Sequence, residues 1–77
     1  MNFTDHCTSL GIELLKEDYK YIRTMLERVS QNERKAIVAT YIEMWLMGIG
    51  SSINELEQQN LGRRRANNWL RKACTGI

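Results

Sequence analysis

Apolar residues recur through the first part of the chain at alternating spacings of three and four: Ile12, Leu15, Tyr19, Ile22, Leu26 and Val29. At 3.6 residues per turn this spacing draws one continuous stripe, and it predicts an amphipathic helix from about Leu10 to Val29. Thr8 or Ser9 offers an N-cap hydroxyl, and Glu13 lies in the first turn, where a carboxylate meets the positive end of the helix dipole. Glu13 with Lys16, Glu17 with Lys20 and Arg23 with Glu27 stand at pairing distance on the remaining surface. The repeat lasts for fewer than three heptads, so the stripe reads as one wall of a bundle in preference to a coiled coil.

A second pattern begins at "SQNE", Ser30 to Glu33, which has the form of a capping box. It predicts a helix from 31 to about Met47, closed by the glycines of "GIG" in the left-handed conformation. Ile37, Val38, Tyr41, Ile42, Met44, Trp45 and Leu46 cover more than half of its circumference, the signature of a helix buried on two sides. It is expected to be the central element of the fold, or the element on which a dimer is built.

"SINE", Ser52 to Glu55, repeats the capping-box form and opens a third helix over 53–74, with Ile53 and Leu56 facing the core. Leu61 follows Leu56 by five positions, about 140° out of register, and Gly62 comes next. A break or bend at Leu61 and Gly62 follows from that phase shift. An unbroken helix is the alternative, since an interior glycine costs only ~1 kcal/mol relative to alanine.

The chain has 77 residues, 43% apolar and 26% charged, with no proline and five glycines. That composition is globular and lacks the turn chemistry of an all-β protein. The expected fold is all-α, a single domain over residues 1–77 forming a small bundle of three to four helices, with residues 1–9 as a loose N-terminus. A chain this short is near the limit of what folds alone, and its central helix is very apolar, so homodimerisation is expected as a means of completing the core. No apolar run is long enough to cross a bilayer and the N-terminus carries no signal-peptide pattern, which points to a cytoplasmic protein. Cys7 and Cys74 have no ligand-like spacing and read as free thiols.

Charge changes the picture at the C-terminus. Up to Gln59 there are six Lys/Arg against nine Asp/Glu, whereas Asn60 to Ile77 holds five basic residues and no acid. On the helix around Gly62, Ala66, Trp69, Leu70 and Ala73 cluster on one arc and Arg64, Asn67, Asn68, Arg71 and Lys72 occupy the other, flanked by Arg63 and Arg65. Trp69 reads as an anchor to the core. Arginine and lysine on the outer arc suit phosphates, and arginine and asparagine suit base edges. Arg63, Arg64, Arg65, Asn68, Arg71 and Lys72 are therefore the candidate nucleic-acid-binding residues. The alternative is a solvated helix whose cations complement the dipole or pair with Glu13, Glu17, Asp18 or Glu57. A helix-turn-helix over Ile53 to Lys72 fits poorly, because Gln58, Arg63 and Asn68 stand where small or apolar residues are required.

Other chemistry is sparse. "DHC", Asp5 to Cys7, has no second ligand pair at helical spacing, so no metal site is expected. His6 is the sole histidine, and "GIGSS" lacks the strand and lysine of a phosphate loop, so neither an enzyme nor a cofactor is indicated. Tyr41, Met44, Trp45 and Met47 group at the end of the most apolar helix. They read as core filling or as a protein interface, where Trp, Tyr and Met are enriched.

The tail "NLGRRRANNWLRKA" with the helix "ATYIEMWLMG" resembles the C-terminal half of small uncharacterised helical proteins of tailed bacteriophages and prophages. The likeness covers about the last forty residues and rests on Gly62, Arg63, Arg64, Ala66, Asn67, Trp69, Leu70 and Arg71. It implies a mobile-element setting in a host cytoplasm and transfers no functional residue. Two functions are expected from the residues themselves: a regulatory module that associates with nucleic acid through the basic tail, or an inhibitor or adaptor acting on a host or phage protein, through the apolar central helix or through the tail against an acidic partner.

Overall fold

The structure, a computed structural model, describes residues 3–76. Four helices follow one another, α1 (Phe3–Ser9), α2 (Lys16–Leu26), α3 (Gln31–Ile49) and α4 (Glu55–Thr75), with no strand among the described residues. The expected all-α bundle is present. None of these helices is long and apolar enough to cross a membrane.

The first predicted helix is divided in two. Gly11 adopts φ +81°, and its N–H donates to the Thr8 carbonyl at 3.0 Å while Ile12 N–H donates to the Cys7 carbonyl at 2.9 Å. This paired closure ends α1 with glycine in the one position where a side chain is strained, so no helix runs through residue 11. Of the predicted stripe Ile12 and Ile22 are buried and Tyr19, Leu26 and Val29 half-buried, whereas Leu15 is 52% exposed and Met25, outside the stripe, takes a core position. Helix α2 starts at Lys16, with the Asp18 carboxylate accepting from the Leu15 N–H at 2.9 Å. It stops at Leu26, whose carbonyl accepts from Arg34 Nε at 2.9 Å.

Residues 3–9, expected to be loose, form α1 and are tied down. Cys7 is buried, the Tyr19 hydroxyl bonds Thr4 Oγ1 at 2.8 Å, and the Phe3 and Tyr19 rings meet edge to face at 6.2 Å. Met1 and Asn2 of that expected terminus, and Ile77, lie outside the described residues.

Helices α3 and α4 are antiparallel and form the main packing unit. Tyr41 is opposite Asn67, Trp45 is opposite Gln59 and Gly62, and Gly48 is opposite Gly62. Both glycines work differently from the expectation. Gly48 lies inside α3, and Gly50, the C-cap, has φ −68°, so neither ends the helix in a left-handed turn. Gly62 does not break α4, which is continuous from Glu55 to Thr75. A Cβ on Gly48 would fall 2.5 Å from Gly62 Cα, and one on Gly62 would fall 2.5 Å from Trp45 Cδ1. The pair lets the two backbones approach closely over the Trp45 indole.

The caps also differ in detail. The Ser30 side chain makes no cap hydrogen bond; only its carbonyl accepts, from Glu33 N–H. At α4 the cap is Asn54, whose Oδ1 accepts from Leu56 N–H at 2.9 Å, while Ser52 Oγ accepts from Asn54 N–H at 3.1 Å. The expected core face of Ile53 and Leu56 is not found: α4 begins at Glu55, so Ile53 precedes it, and the buried edge of the helix is set by Gly62, Ala66 and Leu70. Ile53 is 101% and Leu56 87% exposed.

The core comprises Cys7, Ile12, Ile22, Met25, Tyr41, Ile42, Trp45, Ala66 and Leu70. All four helices or their connectors contribute to it, so much of the apolar surface of α3 is covered within the chain.

Candidate nucleic-acid interface

Helix α4 turns Gly62, Ala66 and Leu70 inward, the latter two at 1% exposure or less. With that edge fixed, Arg64, Arg65, Asn68, Arg71 and Lys72 fall on the opposite side within an arc of about 120° at 100° per residue. All five are exposed. Among the described residues none of their side chains forms an ion pair or a hydrogen bond, and the ion pair that α4 does make uses another of its residues. From Arg64 to Lys72 the face extends about 12 Å at 1.5 Å per residue.

Arg63 does not belong to it. Its Nε donates to both carboxylate oxygens of Asp18, at 2.8 and 3.1 Å; Nη1 donates to Asn60 Oδ1 at 2.9 Å and Nη2 to the Glu13 carbonyl at 3.2 Å. The guanidinium also lies 5.1 Å from the centre of the Trp45 ring, within range of a cation–π interaction. Asp18 is 3% exposed and is the one buried charged side chain among the described residues, so the first arginine of the triplet is a counter-ion to the interior. An assignment of Arg63 to nucleic-acid binding is corrected on that ground.

The expected protein-interface residues separate as well. Trp45 and Tyr41 are 0% and 2% exposed and cannot meet a partner without unfolding. Their polar atoms are satisfied internally. Trp45 Nε1 donates to Gln59 Oε1 at 3.0 Å, and the Tyr41 hydroxyl donates to Asn67 Oδ1 at 2.6 Å. Burial, with a smaller contribution from the Asp18 charge, pushes the Tyr41 hydroxyl well above the usual phenol range. Met44 is half-buried and Met47 about half exposed, so only Met47 of the four is at the surface. Trp69 is half-buried against the core, a lesser anchor than Trp45.

Gln59 has no part in the sequence expectations, and Asp18 enters them only as one of four carboxylates with which the basic tail could pair, a pairing that Arg63 makes; both residues hold the site. Gln59 Oε1 accepts from Glu13 N–H at 3.0 Å as well as from Trp45, and its Nε2 donates to the Gly11 carbonyl at 2.8 Å. The connector Leu10–Leu15 is thereby laced to α4, which fixes the rotation of the helix and so the outward aim of Arg64 and Asn68. For Asp18 a signal existed: Asp18, Ile22 and Met25 follow the i, i+4, i+7 spacing of a buried face. Gln59 offers no such signal.

The cysteines are both free, Cys7 buried and Cys74 half-buried, and burial raises both thiols above their ordinary range. No group of three or more His, Cys, Asp or Glu side chains among the described residues could hold a metal ion. Comparison of the chain with protein families, with curated proteins and with solved structures gave no match. The functional reading therefore rests on the geometry of α4.

Proposed function

We propose that this protein is a small non-enzymatic regulatory module that associates with nucleic acid through the outward face of α4, with Arg64, Arg65, Arg71 and Lys72 meeting phosphates and Asn68 available to a base edge. The observation that carries this reading is the absence, among the described residues, of any ion pair to those four cations, although the same helix does pair Arg63. A solvated helix face normally mixes charges of both signs, whereas this one holds cations spread over two turns of a rigid helix. Phosphate contacts of this kind position a protein without selecting sequence, and a single asparagine adds little discrimination. Modest specificity and strong dependence on salt are the expected behaviour. A phage or prophage setting, implied by the likeness of the tail, suits a short regulatory chain of this type.

The test is a fluorescence-anisotropy titration of the full chain against a short duplex and a single strand of the same sequence at low salt. Binding of either that is lost on replacing Arg64, Arg65, Arg71 and Lys72 together supports the reading. No binding of either, with the protein folded by circular dichroism, removes it.

A further inference from the structure

Helices α2 and α3 are consecutive in the chain, yet α2 and α3 each pack on α4 and their backbones hardly approach each other. Between them lies an open cleft of about 370 Å³, lined by Phe3 of α1, Ile22 and Leu26 of α2, and Arg34, Lys35 and Val38 of α3. Ile22 is its buried floor. Phe3, Leu26 and Val38 are half-buried and pack against the core, so the hydrocarbon of the cleft joins the interior on one side and meets water on the other. A second cleft shares Phe3, Ile22, Leu26 and Arg34 with the first and extends it to Tyr19, Arg23 and Glu27. Tyr19, Ile22 and Leu26 follow the i, i+3, i+7 spacing of one helix face, and the furrow therefore runs for about 10 Å along α2.

Its charged lining is mainly basic. Arg34 and Lys35 are the charged residues of the apolar cleft, which contains no acid. The extension adds Arg23 and one carboxylate, Glu27, which stands four residues after Arg23 at pairing distance on the same helix. Beyond Tyr19 and Arg23 the surface continues past Lys16, Lys20 and Glu17, so the basic excess persists along α2. Arg34 and Lys35 form no ion pair among the described residues, and the bond from Arg34 Nε to the Leu26 carbonyl, 2.9 Å, fixes that guanidinium beside the cleft. Both belong to the first two turns of α3, where the helix dipole does not favour cations.

From this geometry we infer that the furrow between α2 and α3 is a docking site for one acidic amphipathic helix of a partner protein. The partner's apolar stripe would lie on Phe3, Ile22, Leu26 and Val38, with aspartate or glutamate on its flanks against Arg34, Lys35 and Arg23. A furrow that covers its occupant on one side suits a helix with one apolar face, whereas a small apolar molecule in so open a cleft would keep much of its surface in water. Nucleic acid would set phosphate and sugar against a hydrocarbon floor, which makes this surface separate in kind from the outward face of α4. A second copy of this chain is opposed by charge, because a two-fold contact through the cleft would bring Arg34 and Lys35 against their equivalents.

The experiment uses the full chain and two synthetic helical peptides with identical leucine stripes, one with glutamate and one with lysine on the remaining positions. Each is titrated by anisotropy, and amide shifts of the isotope-labelled protein are recorded at saturation. Saturable binding of the glutamate peptide alone is expected, with shift changes centred on Ile22, Leu26, Arg34, Lys35 and Val38. A glutamate peptide with alanine in place of its leucines should not bind. Lys35→Glu should weaken binding at least about tenfold with helicity unchanged, since that side chain is exposed. Arg28→Glu, the same change of net charge on an exposed residue outside the furrow, should have a much smaller effect. The inference is overturned if neither leucine peptide saturates, if both bind alike, if the alanine peptide binds as well, if the two charge reversals act equally, or if the shifts fall on the outward face of α4. No nucleic acid enters this experiment, so its result is independent of the reading of α4.

Discussion

Arg63 Nε and the Asp18 carboxylate, 2.8 Å apart, form the one ion pair among the described residues, and it joins α2 to α4 at the rim of the Trp45 ring. The pair divides the basic tail into two chemistries. One arginine neutralises the interior, and the cations that follow are left to water. Asp18 is 3% exposed, so removing its partner leaves a carboxylate with too little solvation to remain charged at low cost. Arg63→Ala should therefore destabilise the protein by about 3 kcal/mol in urea unfolding. Asp18→Asn, which keeps an acceptor for Leu15 N–H, should cost less than Asp18→Ala. Equal and small effects for all three would show that the pair contributes little.

The glycine pair gives a prediction of sign. At an unobstructed helical site Gly→Ala stabilises by up to ~1 kcal/mol through backbone entropy and propensity. Gly62→Ala should do the opposite, because its Cβ would lie 2.5 Å from Trp45 Cδ1 and 2.7 Å from the Trp45 carbonyl, and backbone cannot yield as a side-chain tip can. A loss of about 1 to 3 kcal/mol is expected from such overpacking, with Gly48→Ala similar. Gly50→Ala, with its nearest neighbour at 3.6 Å and φ −68°, is the control and should be neutral or stabilising. Thermal melts of the three variants decide the matter.

Helix identity was legible because α3 and α4 carry long apolar patterns that tertiary contacts did not need to override. Their ends and phases were less so. "SINE" and "SQNE" both have capping-box spelling, but in the fold Asn54 takes the capping role at one, and at the other only backbone closes the first turn. Helix α4 starts two residues later than its spelling predicts, and Ile53 and Leu56 are both in water. Gly48 and Gly62 were read as punctuation because a sequence cannot distinguish a glycine needed for positive φ, as at Gly11, from one needed for contact between helices. Likewise the outward aim of Arg64, Asn68 and Arg71 followed from periodicity alone. The withdrawal of Arg63 depended on a carboxylate 45 positions away in the chain.

Stability should fall at alkaline pH in a defined way. The folded state holds the Tyr41 proton above the ordinary phenol value of 10.0, and the Cys7 and Cys74 protons above the ordinary thiol value of 9.0. Above those values the unfolded chain has released protons that the folded chain keeps, so the unfolded state binds fewer and the unfolding free energy decreases as pH rises. The decline should begin near pH 9 and steepen beyond pH 10, approaching about 1.4 kcal/mol per pH unit for each group held fully protonated. Urea unfolding at a series of pH values measures it. Tyr41→Phe should lower stability at neutral pH by about 1 kcal/mol, through loss of the bond to Asn67, and reduce the alkaline slope. An unchanged slope in that variant would contradict the burial of the hydroxyl.

The outward face of α4 makes the sharpest quantitative prediction, because its members differ from Arg63 in kind. Each phosphate neutralised on duplex DNA contributes about −0.9 to the slope of log affinity against log salt. Arg64→Ala and Arg71→Ala should each reduce that slope by close to one unit, and the double variant by about two, with unfolding curves unchanged because both side chains are exposed and without partners among the described residues. Asn68→Ala should leave the slope intact, since an amide releases no counterion. Arg63→Ala should show the reverse pattern: lost stability, and at temperatures where the protein remains folded, a slope equal to that of the parent. A slope that falls equally for Arg63 and Arg64 would mean that the Asp18 pair opens on binding, and that four arginines in place of three meet the phosphates.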